Sequence, residues 1–178
     1  MKKIIIIIFI TSIFLTFACE NNEKTFFPIT DSDEKLYLAN SGNWYLYYVA
    51  IDEMTGNDTI WFSISEDDYL NDSHNFGFFR IIKSSWIGSR NSTVDDVYDA
   101  EYLPVIVKNP GFFNVVKISK NIIIIKETNF NIFGDESESI HIVYADKKSE
   151  YYLQGIFDGN QVEYDALIKM AKSIQIKK

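Results

Sequence analysis

The residues with chemistry to offer are few: one thiol, Cys19, two histidines, His74 and His141, and an excess of carboxylates over lysine and arginine. A thiol can act as nucleophile, metal ligand, disulfide partner or acceptor of a covalent group. Without a second cysteine there is no internal disulfide and no Cys-x-x-Cys site. A lone thiol in an exported chain invites stray pairing, so its position needs a reason. His74 stands in Asp72-Ser73-His74, near Glu66, Asp67 and Asp68. A metal site needs several ligands converging from fixed elements, whereas this stretch reads as a solvated acidic loop. His141 lies between Ile140 and Ile142 in an alternating run, which predicts a partly exposed strand histidine facing away from both. Asp31 and Asp33 resemble the start of a calcium loop, but no turn glycine or closing glutamate follows at the right spacing. There is no Gly-x-Ser-x-Gly, no Ser-x-x-Lys and no glycine-rich phosphate loop. Two carboxylates can serve a glycosidase only at a defined separation, which sequence does not supply. Trp61 alternates with Ile60 and Phe62 and so faces away from the core, where it can stack on a sugar or simply pack in a sheet. No catalytic, cofactor-binding or metal-ligating residue is assigned.

The position of Cys19 is the informative one. Lys2 and Lys3 open the chain, an apolar run follows from Ile4 to Ala18, and Glu20-Asn21-Asn22-Glu23 is polar. A positive start, an apolar middle and a small residue before the cut make a removable export signal. A permanent span needs about 20 apolar residues, and this run is shorter. The stretch ending Leu15-Thr16-Phe17-Ala18-Cys19 resembles the lipobox of bacterial lipoproteins, with Phe17 bulkier than that pattern usually allows. The resemblance implies cleavage before Cys19, fatty acylation (palmitate-type chains) on Cys19, and the membrane as a partner through that lipid. Because Glu20, and not Asp, follows the cysteine, it further implies the outer membrane of the cell envelope. The alternative is cleavage by ordinary signal peptidase after Thr16-x-Ala18, with simple secretion.

Formal net charge is −8, and losing Lys2 and Lys3 with the signal makes the remainder more acidic. Nucleic acid demands clustered lysine and arginine, so it is excluded as a partner class. By the same reasoning the domain as a whole should adhere poorly to anionic lipid by charge. Roughly 160 residues remain after the signal, enough for one self-sufficient core.

The elements follow from periodicity. Residues 1–18 are the signal peptide, 19–35 the lipidated N-terminus and a polar tether, and 36–178 a single β-rich globular domain. Residues 44–52 and 59–65 flank the turn Gly56-Asn57-Asp58 and predict a hairpin. Residues 76–83 give a third strand. From Ser92 to Leu103 the period changes, with Val94, Val97, Tyr98 and Tyr102 three or four apart, predicting a short amphipathic helix. Residues 112–118 with 122–128, and 139–146 with 150–157, predict two further hairpins. A final helix is predicted after Asn160, which with Glu163 suggests a capping box, along a stripe of Tyr164, Leu167, Ile168 and Ala171. Ile174 and Ile176 share a face in a terminal strand.

This order of strand, short helix, hairpins, helix and strand resembles the α+β fold of the photosystem PsbP proteins and the Mog1 Ran-binding proteins. Their closing helix and strand are similar to Tyr164-Asp165-Ala166-Leu167 through Ser173-Ile174. The resemblance implies a single antiparallel sheet with a middle helix and a C-terminal helix packed on it, and a non-enzymatic binding or assembly role without cofactor. A second resemblance, to lipocalin-like barrels, rests on Gly42-Asn43-Trp44 as Gly-x-Trp. It implies a closed barrel with a C-terminal helix carrying a small hydrophobic ligand. An envelope hydrolase using carboxylates is the third reading.

Overall fold

The computed structural model describes residues 24–42, 44–64 and 75–178. Cys19 and the acidic segment holding Glu66, Asp67, Asp68, Asp72 and His74 lie outside the described residues. Two antiparallel sheets organise the chain. The larger has seven strands in the order β3-β4-β5-β9-β8-β7-β6, the smaller three in the order β1-β2-β10. The large sheet comprises β3 (Tyr45–Val49), β4 (Asp58–Ser63), β5 (Asn75–Lys83), β6 (Phe113–Ser119), β7 (Ile122–Phe130), β8 (Glu136–Ala145) and β9 (Tyr151–Asp158). The small one comprises β1 (Lys24–Pro28), β2 (Lys35–Ala39) and β10 (Gln175–Lys177). A helical segment, α1 (Val94–Val97), a π-helical turn (Tyr98–Tyr102) and α2 (Leu103–Ile106), joins β5 to β6, and α3 (Tyr164–Ser173) follows β9.

Three hairpins form as alternation and turn chemistry predict: β3–β4, β6–β7 and β8–β9. What joins them is a long-range pairing of β5 with β9, in which Phe79 lies opposite Gly155 and Gly77 opposite Phe157. Each ring lies over the facing glycine, where a Cβ would come within 2.4 Å of Phe79 or 2.3 Å of Phe157. The freed space lets Phe62, Phe79 and Phe157 stack edge to face at 5.2–5.5 Å.

Successive residues of a strand point to opposite faces, so the large sheet has two interiors. On one side Phe62, Phe79, Ile124, Ile142, Leu153 and Phe157 meet Leu167, Met170 and Ala171 of α3 and Leu36 and Ile176 of the small sheet. On the other, Ile123, Ile125, Val143 and Tyr152 meet Val94, Val97 and Tyr102 of the helical segment. The fold is therefore sheet-dominated and antiparallel with two helical pieces.

Four sequence expectations are corrected. The sheet is not single, because β10 pairs with β2 and not with the large sheet. The barrel alternative fails: β3 and β6 are the outer strands of an open sheet and do not pair with each other. The tether expected over 19–35 is, from Lys24 on, part of the folded domain. Lys24–Pro28 pairs with Lys35–Ala39, and Phe27 and Ile29 are buried. Two buried carboxylates fasten it: Asp58 accepts hydrogen bonds from the Thr30 backbone and hydroxyl, and Glu34 accepts one from the Ser149 hydroxyl. Finally, α3 begins without a side-chain cap, at Tyr164. Asn160 instead donates its backbone N–H to Asp158 Oδ1 at 2.9 Å, turning the chain as β9 ends.

Candidate functional site

Three surfaces concentrate the groups able to do work: a polar clasp beneath the helical segment, an aromatic depression beside it, and an apolar corner at the β7–β8 turn.

The clasp begins with how the helix starts. Thr93 Oγ1 accepts the Asp96 N–H at 3.1 Å while Asp96 Oδ2 accepts the Thr93 N–H at 2.7 Å, a reciprocal cap. The π-helical turn that follows aims Glu101 and Tyr102 at the sheet. Glu101 Oε1 accepts from the Tyr152 hydroxyl, and its Oε2 accepts from Gln154 Nε2 at 2.7 Å. Gln154 Nε2 also donates to the Tyr102 hydroxyl at 2.8 Å, and its Oε1 accepts from Arg80 Nη2. Burial pushes the Tyr102 and Tyr152 phenols well above their ordinary value, and Glu101 beside them pushes the same way.

His141 extends this network. Its side chain is only 14% exposed, its Nε2 lies 2.9 Å from Glu127 Oε2, and the Tyr102 ring meets it edge-on at 5.6 Å. Burial lowers its pKa below the ordinary 6.5, opposed by the hydrogen bond to Glu127. The neutral ring therefore donates from Nε2 to Glu127, leaving Nδ1 as a buried acceptor without a partner among the described residues. The expectation of a partly exposed strand histidine facing away from Ile140 and Ile142 holds, with most of the ring covered by Tyr102 of the helical segment. The His–carboxylate pair looks like acid–base equipment. Its free nitrogen, however, is enclosed, and both oxygens of Glu101 are taken. Chemically the arrangement is a clasp that docks the helical segment.

Trp61 lies on the same face. Its Nε1–H donates to the buried Asp52 at 2.7 Å, its ring meets Phe78 at 5.0 Å, and Arg80 lies over Phe78 at 5.7 Å. A depression of about 410 Å³, lined by Trp61, Phe78, Ile156, Ser137, Ser139 and Asp158 among others, opens at this end of the sheet. Trp61 is thus half-buried and tied down on its polar edge, which leaves one ring face for packing.

Sequence reasoning passed over the third surface. Asn131-Ile132-Phe133-Gly134-Asp135 closes the β7–β8 hairpin as a rigid turn. Asn131 Oδ1 accepts from the backbone N–H of Phe133 and of Asp135, at 2.8 and 2.9 Å, and Asn131 Nδ2 donates to Asp135 at 2.8 Å. Gly134 supplies the positive φ of 87° that the return requires. The tip holds Ile132 93% and Phe133 84% exposed, and Phe112 and Phe130, both exposed, touch edge to face behind it at 6.0 Å. The Asn…Gly-Asp spelling was the available signal.

Among the described residues no group of three or more His, Cys, Asp or Glu gathers as a metal site, and no helix is long and apolar enough to cross a membrane. Comparison with known proteins finds no matching family model, no similar curated protein and no similar solved structure.

Proposed function

We propose that the chain is exported, cut before Cys19, acylated there and displayed at the outer membrane of the cell envelope as a non-enzymatic binding or assembly module. The signal-like residues 1–18 and the placement of the sole cysteine support the address. An antiparallel sheet flanked by helices supports the PsbP/Mog1-like reading, which favours an accessory role. A carrier of small hydrophobic ligands is less well supported, because the α3-side interior is filled by Phe62, Phe79 and Phe157.

The observation that carries the binding role is the Ile132–Phe133 tip. Exposing two large apolar side chains costs solubility, and a turn held by five side-chain and backbone hydrogen bonds involving Asn131 and Asp135 keeps them ordered. Contiguous exposed apolar surface of this kind marks interaction sites, and pre-ordering lowers the entropic cost of association. A photo-crosslinking residue at position 133 should give one discrete protein adduct in intact cells, lost in Ile132→Asp. The same group at Lys169, on the exposed side of α3, should give none. Absence of an adduct at 133, or equal adducts at both positions, rejects the corner as the binding surface.

A further inference from the structure

The outer face of the small sheet differs in kind from the rest of the molecule. Its inner face buries Phe27, Leu36, Leu38 and Ile176. The strand register places Phe26 opposite Tyr37 and Lys35 opposite Lys177, all on the opposite side. Phe26 is 57% exposed, the Lys35 ammonium sits 5.1 Å from the centre of its ring, and Lys177 sits 4.7 Å from that of Tyr37. Lys24, also exposed, continues the row. Beside this face a depression of about 590 Å³ is lined by Lys148, Lys172, Lys177 and Lys178 together with Glu34 and Asp146. On a chain of net charge −8, these aromatic residues and lysines form a locally basic surface.

Chain length says what this surface faces. Lys24, the first residue of β1, is five residues beyond Cys19, so the folded domain begins within about 18 Å of that cysteine even at full extension. We infer that the outer face of the small sheet rests on the phospholipid surface, with Lys24, Lys35 and Lys177 against anionic headgroups and Phe26 and Tyr37 at the interface. The inference rests on the proposed acylation of Cys19 and adds the orientation of the domain on its membrane. Aromatic residues favour the headgroup level, and each lysine near an anionic surface contributes about fivefold in partitioning. Glu20 and Glu23, between Cys19 and β1 in sequence, and Asp33, which pairs with Lys178 at 3.3 Å, oppose this attraction. The acyl anchor supplies the holding force, and the face sets the orientation.

The test is a lysine footprint of the full chain as purified from membranes. The chain is placed in vesicles of equal phosphatidylethanolamine and phosphatidylglycerol, or in detergent, and treated with a water-soluble amine-acylating reagent. The mass of the N-terminal peptide reports acylation of Cys19 independently. Vesicles should slow modification of Lys24, Lys35 and Lys177 about fivefold or more relative to detergent, while Lys169 and Lys117 are unchanged. Phe26→Ser with Lys35→Gln should restore reactivity at Lys24 and Lys177 without releasing the chain. Three lysines reacting as fast as Lys169, or failure of the chain to associate with vesicles, overturns the inference. So does protection of Lys108 alone, which would turn the Phe112–Phe133 corner to the lipid. An acylated Cys19 with an unprotected face rejects the orientation and keeps the anchor. An unmodified Cys19 with a protected face does the reverse.

Discussion

Residues 151–157 belong to one strand yet build two different interiors. Tyr151, Leu153 and Phe157 enter the apolar core under α3, whereas Tyr152 and Gln154 enter the clasp under the helical segment. The α3 side is held by close-packed rings and branched chains, where burial is non-directional and roughly proportional to area. The helical-segment side mixes Val94, Val97 and Val143 with groups that must be hydrogen-bonded to be tolerated. The first kind of interior fails by loss of volume, the second by loss of a partner. The difference makes the two sides separable by mutation and by pH.

The largest effects belong to the α3 side and to the segment that seals it. Deleting residues 24–33 removes β1, Phe27, Ile29 and the Thr30 bonds to buried Asp58, so the remaining chain should lose cooperative unfolding. Phe27→Ala alone should cost about 3–5 kcal/mol, and Leu167→Ala about 2–5 kcal/mol, in denaturant unfolding. If a chain beginning at Glu34 unfolds like the longer one, the N-terminal segment is a tether after all and the comparison is miscast.

Next comes the clasp. Glu101→Ala strips partners from the Tyr152 hydroxyl and from Gln154, and leaving buried polar groups unsatisfied should cost about 1–3 kcal/mol. Hydrogen exchange should quicken over residues 94–106 while the amides of β9 stay protected. Equal quickening in both regions would mean that the two interiors do not act separately.

The pH response has the same origin. The folded His141 has a pKa below the unfolded value of 6.5, so as pH falls the unfolded chain takes up the proton first. Stability should be level above about pH 6.5 and decline as pH drops from there toward the lower folded value. His141→Gln should remove that part of the decline; a variant with the wild-type slope would assign it elsewhere. Smallest of all, Lys169→Ala on the exposed side of α3 should stay within about 0.5 kcal/mol of wild type.

What the sequence disclosed follows the same division. Alternation over 59–65, together with apolar and aromatic runs bounded by turn residues, locates β3 to β9 to within a few residues, and the runs are continuous where a strand is buried on both faces, as in Ile122–Ile125. The joining of β5 to β9 was not legible, since the glycine-over-ring pairs are set by residues more than seventy positions apart. The middle helix runs past the expected end at Leu103. Pro104 falls in the first turn of α2, where its missing N–H is no loss once the π-helical turn has closed at Tyr102. Phe26-Phe27-Pro28-Ile29 is a short apolar patch broken by a proline and followed by the acidic run Asp31-Ser32-Asp33-Glu34, too little periodic sequence to signal a strand. The clasp was invisible for a related reason: Arg80, Glu101, His141 and Gln154 come from four separate stretches of chain. A net charge of −8 describes the whole chain and does not disclose how Lys24, Lys35 and Lys177 gather on the outer face of the small sheet.

The proposed anchoring of the chain at Cys19 is tested directly by one measurement. Intact-mass and peptide mass spectrometry of the protein extracted from membranes should find a mature chain whose first residue is Cys19 carrying diacylglyceryl, with Cys19→Ser no longer fractionating with membranes. An unmodified Cys19, together with a Cys19→Ser protein that remains membrane-bound in undiminished amount, would contradict it.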